Sequence, residues 1–157
     1  MDDGSSPEEI VNPLETHLGY HLRRVSSVVM ARLAERLCEV GLTVTEASVL
    51  LLIDRNDRLS QSEIGRVLGI QRANMAPIAA TLAQRGLIVR DSSAGRAVRL
   101  STTKVGKAAA LRCEALMLDN EAVSFAAIGE DLASLCDVFR PVWDGQSSNT
   151  DSRLPVA

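Results

Sequence analysis

Between residues 71 and 77 the chain reads Gln-Arg-Ala-Asn-Met-Ala-Pro, directly after the pair Gly69-Ile70. These side-chain types are complementary to the edges of base pairs. The guanidinium of Arg72 suits guanine O6 and N7, the amides of Gln71 and Asn74 suit adenine N6 and N7, and Ala73 or Met75 can meet a thymine methyl. Such chemistry requires that the residues stand at the exposed start of a helix that can enter a groove. Ser60 and Gln61 open the helical segment just before and are counted with the same candidate face. Pro77 is the odd member, because it lacks an amide donor and crowds the carbonyl of Ala73 four residues back. A helix from about Gln71 to Gln84 should therefore either kink or start nearer Asn74.

A second group follows. Arg90, Gly95, Arg96 and Arg99 surround a short polar tip, where arginines can reach phosphates or a minor groove. A third group lies upstream. His17, His21 and Arg24 are spaced i, i+4 and i+7, which places them on one stripe of a helix. Together they could meet a carboxylate, with Arg24 as the charge partner and the imidazoles as donors. The same stripe is also compatible with a solvated helix face. A zinc site would need a further ligand, and none clusters with the two histidines in sequence. Cys38, Cys113 and Cys136 are isolated, so they suggest buried thiols rather than disulfides or a structural metal. No metal and no cofactor is expected.

The elements that must position these groups follow from apolar spacing. Leu14, Leu18, Leu22, Val25, Val29, Leu33 and Leu37 recur at three and four and mark one face of a long helix that Gly41 stops. Thr43 or Thr45 caps a short helix through Ile53. Ser60 followed by Glu63 is a capping box, opening a helix that ends at Gly69. Leu87-Ile88-Val89 and the alternating run Arg96–Leu100 then predict a β-hairpin. Thr103 caps a long helix to about residue 123, and a last helix covers about 130–142. The expected organisation is a flexible N-terminus over 1–13, a helical dimerisation region formed by 14–40 and 103–142, a DNA-binding lobe over 43–101, and a disordered tail over 144–157. The fold class is mostly α with a small β-hairpin: a winged helix-turn-helix with N- and C-terminal dimerisation helices.

Charge is distributed accordingly. Residues 58–107 hold nine Lys/Arg against two Asp/Glu, while the rest hold eight against eighteen. One basic face for a polyanion within an acidic molecule explains a net charge of −3 in a DNA binder. The chain has no apolar run long enough to span a bilayer and no secretory pattern, so a cytoplasmic location without membrane contact is expected. It also lacks a Gly-rich phosphate loop, a G-x-S-x-G elbow and a clustered acid–base pair, which argues against an enzyme.

Taken together, Leu59-Ser60-Gln61-Ser62-Glu63-Ile64-Gly65, the segment Arg72–Pro77, Leu82 with Arg85-Gly86-Leu87, and Gly95-Arg96-Ala97 leading to Thr103 and Gly106 resemble the MarR family of transcriptional regulators, over roughly residues 14–142. The resemblance implies a homodimer on a near-palindromic double-stranded operator. It further implies repression relieved by a small effector, often an aromatic carboxylate or phenolic compound, held between the dimerisation helices and the DNA-binding lobe. The chain departs from the family pattern at the wing, where Gly95 precedes a single Arg96. The competing readings are a winged-helix regulator that senses metal or oxidation, and a protein-interaction winged helix without specific DNA binding.

Overall fold

The structure is a computed structural model and describes residues 10–56, 58–91, 98–128 and 132–144. The expected flexible N-terminus is described only from Ile10, and the expected tail lies outside the described residues beyond Asp144.

The long first helix starts later than its apolar pattern suggests. Asn12 caps a 3-10 turn over Pro13–Thr16, and His17 has an extended backbone (φ −104°, ψ 115°). Helix α1 then runs over Leu18–Cys38. The extended backbone at His17 interrupts the helix, so Leu14 stays in the 3-10 turn and outside the helix proper.

Helix α2, Val44–Asp54, begins at Thr43, whose hydroxyl accepts from the Glu46 amide while Glu46 accepts from the Thr43 amide. Of the two threonines considered from sequence, Thr43 is therefore the cap. A two-residue strand β1, Leu59–Ser60, leads into α3, Gln61–Leu68. The Ser60/Glu63 capping box is formed in both directions. Gly69 ends α3 in the left-handed conformation (φ 64°), which a side chain would disfavour. Helix α4 follows over Arg72–Gln84. Strands β2, Ile88–Asp91, and β3, Arg99–Thr102, pair antiparallel with Ile88 opposite Thr102 and Asp91 opposite Arg99. Sheet order is β1-β3-β2, so the hairpin carries a third strand that no sequence pattern announced. Helix α5 spans Lys104–Ser124, capped by Thr103, and α6 spans Leu132–Asp144.

The core gathers Leu37 from α1, Leu50 and Ile53 from α2, Ile64 from α3, Met75 and Leu82 from α4, Leu100 from β3 and Cys113 from α5. Arg55 donates to both carboxylate oxygens of Glu114 at 2.6 Å, and Arg36 pairs with Asp119, so α5 is tied to both α2 and α1. Burial is uneven along α1. Val29, Leu33 and Leu37 are buried, whereas Leu18, Leu22 and Val25 on the same face are exposed. On α5 and α6, Leu118, Val123, Val138, Val142 and Trp143 are exposed as well. Exposed apolar side chains in this number on the first and last helices are the kind of surface that a partner covers. None of the helices among the described residues is long and apolar enough to cross a membrane.

Candidate nucleic-acid interface and effector cavity

Helix α4 presents Gln71, Arg72, Ala73 and Asn74 to solvent at its start. Gln71 is the N-cap and makes no side-chain cap hydrogen bond, so its amide is not used up locally. Met75 departs from the sequence reading. It is 1% exposed and packs in the core, where its Cγ faces Gly65 of α3. Its thioether holds α4 against α3 and is not available to a base. The helix is continuous from Arg72, so the start nearer Asn74 does not occur. Pro77 is exposed within it, and Thr81 donates to the Pro77 carbonyl at 3.1 Å.

The arginines of the basic region divide by use. Arg99 on β3 donates to Glu63 Oε2 at 2.7 Å and to the Arg58 carbonyl at 3.2 Å. Arg58 pairs with Asp91 at 2.7 Å, and Arg85 donates to the Gly41 and Val40 carbonyls. These three hold the lobe together and are only secondarily available to phosphate. Arg66, Arg72 and Arg90 are exposed, and among the described residues their side chains form no hydrogen bond or ion pair. Arg66, in the last turn of α3, was not singled out from sequence; only its place one turn before Gly69 could have suggested it. Gly95 and Arg96 lie outside the described residues.

Ser60 and Gln61 are half-buried, and the Ser60 hydroxyl donates to Glu63 Oε2 at 2.6 Å. The Ser60 hydroxyl and amide, followed by Arg99, hold the Glu63 carboxyl below its usual pKa. One carboxylate thus joins the start of α3 to the wing strand. Because its pKa is depressed in the folded state, Glu63 stabilises the lobe above the ordinary glutamate value of about 4.3, and that contribution is lost as pH falls below it. Glu63→Gln keeps the capping pattern but not the charge. Its melting temperature is expected to fall less than that of the wild type when pH is lowered from about 6 through this range. Parallel melting curves would contradict the role.

The upstream stripe is only partly assembled. His17 is the N-cap of α1, and its Nδ1 lies 3.2 Å from the Thr16 hydroxyl. His21 Nε2 lies 2.7 Å from the Glu15 carbonyl oxygen. Arg24 donates to the Tyr20 hydroxyl at 2.9 Å, and with the Asn12 amide it lowers the pKa of that phenol. His21, Arg24 and Arg32 line an open hollow of about 450 Å³ together with Val123 and Ser124 of α5, and His17 does not line it. The helical start at Leu18 separates His17 from the other two.

A larger cavity of about 820 Å³ lies between α1, α2, α5 and α6. Met30, Met117, Phe125, Phe139 and Trp143 line it, together with Asn120. Sequence reasoning missed this site. Its one signal was an asparagine on the buried stripe Ala110, Cys113, Asn120 of α5. Burial pushes the Cys113 thiol up, while Cys38 and Cys136 are exposed. Among the described residues no group of three or more His, Cys, Asp or Glu is placed to hold a metal.

Comparison with known proteins fits this arrangement. A profile of the MarR family matches residues 40–97, which include α2, α3, α4 and β2. The HTH-type transcriptional repressor Rv2887 of Mycobacterium tuberculosis is 30% identical over 102 residues, covering 64% of this chain and 73% of the relative. The chain belongs to the MarR family. This MarR-family DNA-binding regulator is also similar to the transcriptional repressor CouR bound to a 23-mer DNA duplex. That structure matches at 32% identity with a TM-score of 0.78, over 86% of this chain and 98% of that one. The structure of the Mycobacterium tuberculosis Rv2887 in complex with p-aminosalicylic acid matches at 26% identity with a TM-score of 0.62, over 81% and 96% of the two chains.

Proposed function

We propose that the protein is a homodimeric repressor that reads a near-palindromic operator with α4 and leaves it when a small aromatic acid binds. The observation that carries the reading is the start of α4, where Gln71, Arg72 and Asn74 are exposed over a buried Met75. A helix anchored by its inner face and polar at its tip is what base recognition needs, whereas an interaction scaffold has no use for it. The relative CouR has been seen on DNA, and Rv2887 on DNA and with p-aminosalicylic and salicylic acids, which supports both halves of the proposal.

Dimerisation is argued from the exposed half of α1 together with the exposed faces of α5 and α6. A two-fold axis through them would set two α4 helices about one DNA turn apart, roughly 34 Å. His21, Arg24 and Arg32 offer donors for the carboxylate of an effector, and His17 is set aside from that role by its position. Any effector acts only through differential affinity for the DNA-competent and DNA-incompetent spacings of the lobes. A coupling of about 1–3 kcal/mol is ordinary for such a switch.

The test has two parts. Sedimentation at micromolar concentration is expected to give a dimer, and a monomer would overturn the symmetry argument. Titration of benzoates and cinnamates into the protein–operator complex is expected to release DNA, and Arg24→Ala is expected to require more of the same acid. Release that is indifferent to Arg24→Ala would place the carboxylate elsewhere.

A further inference from the structure

One polar atom is stranded on the wall of the large cavity. Asn120 is 1% exposed, and its Nδ2 donates to the Val29 carbonyl oxygen at 3.3 Å. Among the described residues its Oδ1 has no hydrogen-bond partner. The amide cannot simply be turned round. The Val29 carbonyl only accepts, so the NH2 group must face it, and the group left over is an acceptor. A buried acceptor is unfavourable unless something donates to it. Two other polar groups of the wall are engaged elsewhere: the Ser48 hydroxyl donates to the Val44 carbonyl at 2.9 Å, and Arg140 pairs with Asp137 at 3.2 Å.

We propose that Asn120 is the specificity residue of the effector site in this cavity: its Oδ1 accepts from a hydroxyl or amine on the bound aromatic acid, so that the protein selects acids carrying such a donor over those that lack one. The inference rests on the effector reading above and adds to it the residue that sets specificity. The apolar and aromatic wall suits a ring. A volume of about 820 Å³ is several times the roughly 150 Å³ that accommodates benzene, so the occupant is larger than a bare ring. Val25 and Val29 form walls of both this cavity and the hollow that holds His21, Arg24 and Arg32. A ring with an extended acidic chain would therefore find its donor partner and its cations in one region of the molecule.

The probes are 4-hydroxycinnamate and cinnamate, which differ only in the hydroxyl. Binding is measured by calorimetry and by the emission of Trp143, the single tryptophan of the chain and a wall of the cavity. The wild type is expected to bind the hydroxylated acid at least about tenfold more tightly, with a change in Trp143 emission. In Asn120→Leu that preference is expected to disappear, while cinnamate binding is retained. Equal affinities in the wild type would mean that water or nothing serves Oδ1, and would overturn the proposal. So would a preference that survives in Asn120→Leu, or binding that leaves Trp143 unchanged. If neither acid binds, as when a second copy fills the cavity in the dimer, the proposal also falls; retardation of operator DNA by the same preparation then shows that the DNA-binding reading stands. Should Asn120→Leu fail to fold, the wild-type comparison alone decides.

Discussion

Gly106→Ala is expected to destabilise the protein by about 3 kcal/mol, at the upper end of what overpacking a tight contact does. A Cβ on Gly106 would overlap the Leu87 carbonyl, and that carbonyl cannot retreat. It accepts from the Thr103 amide at 3.0 Å and from the Thr103 hydroxyl at 3.3 Å. The Gly106 amide in turn donates to the Thr103 hydroxyl at 2.9 Å, which makes this the point where α5 is fastened to the start of β2. For a chain of this length the loss corresponds to a fall in melting temperature of roughly 6–12 °C. Gly19→Ala is the control, since among the described residues nothing lies within 4 Å of a Cβ there. It is expected to fall within about 1 kcal/mol of the wild type, on the stabilising side for a helical position. A Gly106→Ala protein that melts like the wild type would show that the junction is looser than described.

Arg72→Ala and Asn74→Ala are each expected to weaken operator binding by about 1–3 kcal/mol and to relax base preference at one position per half-site. Both side chains stand exposed at the start of α4, with Met75 buried beneath them. Arg90→Ala should behave differently. Its side chain lies exposed on β2, away from the helix tip, so its loss should weaken all sequences evenly and lower the salt dependence by about one ion. Arg96 shares that expectation from the sequence. Arg99→Ala should chiefly lower stability, because Arg99 bridges Glu63 and the Arg58 carbonyl. The comparison is made by competition against single-base variants of the operator at two salt concentrations. Uniform losses at Arg72, Asn74 and Arg90 would contradict the division between reading and holding.

Local features of this fold were legible because local physics sets them. The Ser60/Glu63 pair is a signature confined to four residues, and the box forms as expected. Gly69 and the polar start of α4 are likewise short-range signals. What was not legible depends on partners distant in sequence. Arg99 looked like a phosphate contact until Glu63, 36 residues away, was found beside it. Met75 belongs to an apolar stripe of α4 with Ala79 and Leu82, yet its place near the helix tip suggested the groove. The stripe of His17, His21 and Arg24 assumed a helix already under way at His17, and Pro13 replaces that start with a 3-10 turn. The cavity could not be seen because four separate helices build it, and Asn120 acquires meaning only when Val29 meets it across 91 residues.

The central claim is that two copies of α4 read DNA in a symmetric pair. Footprinting of the DNA upstream of the protein's own gene tests it most directly, with and without aromatic acids. The account predicts two protected half-sites related by approximate inversion, about 10 base pairs between centres, that vanish together as a hydroxylated aromatic acid is added. Protection that is diffuse, indifferent to sequence and unchanged by any such acid would contradict it.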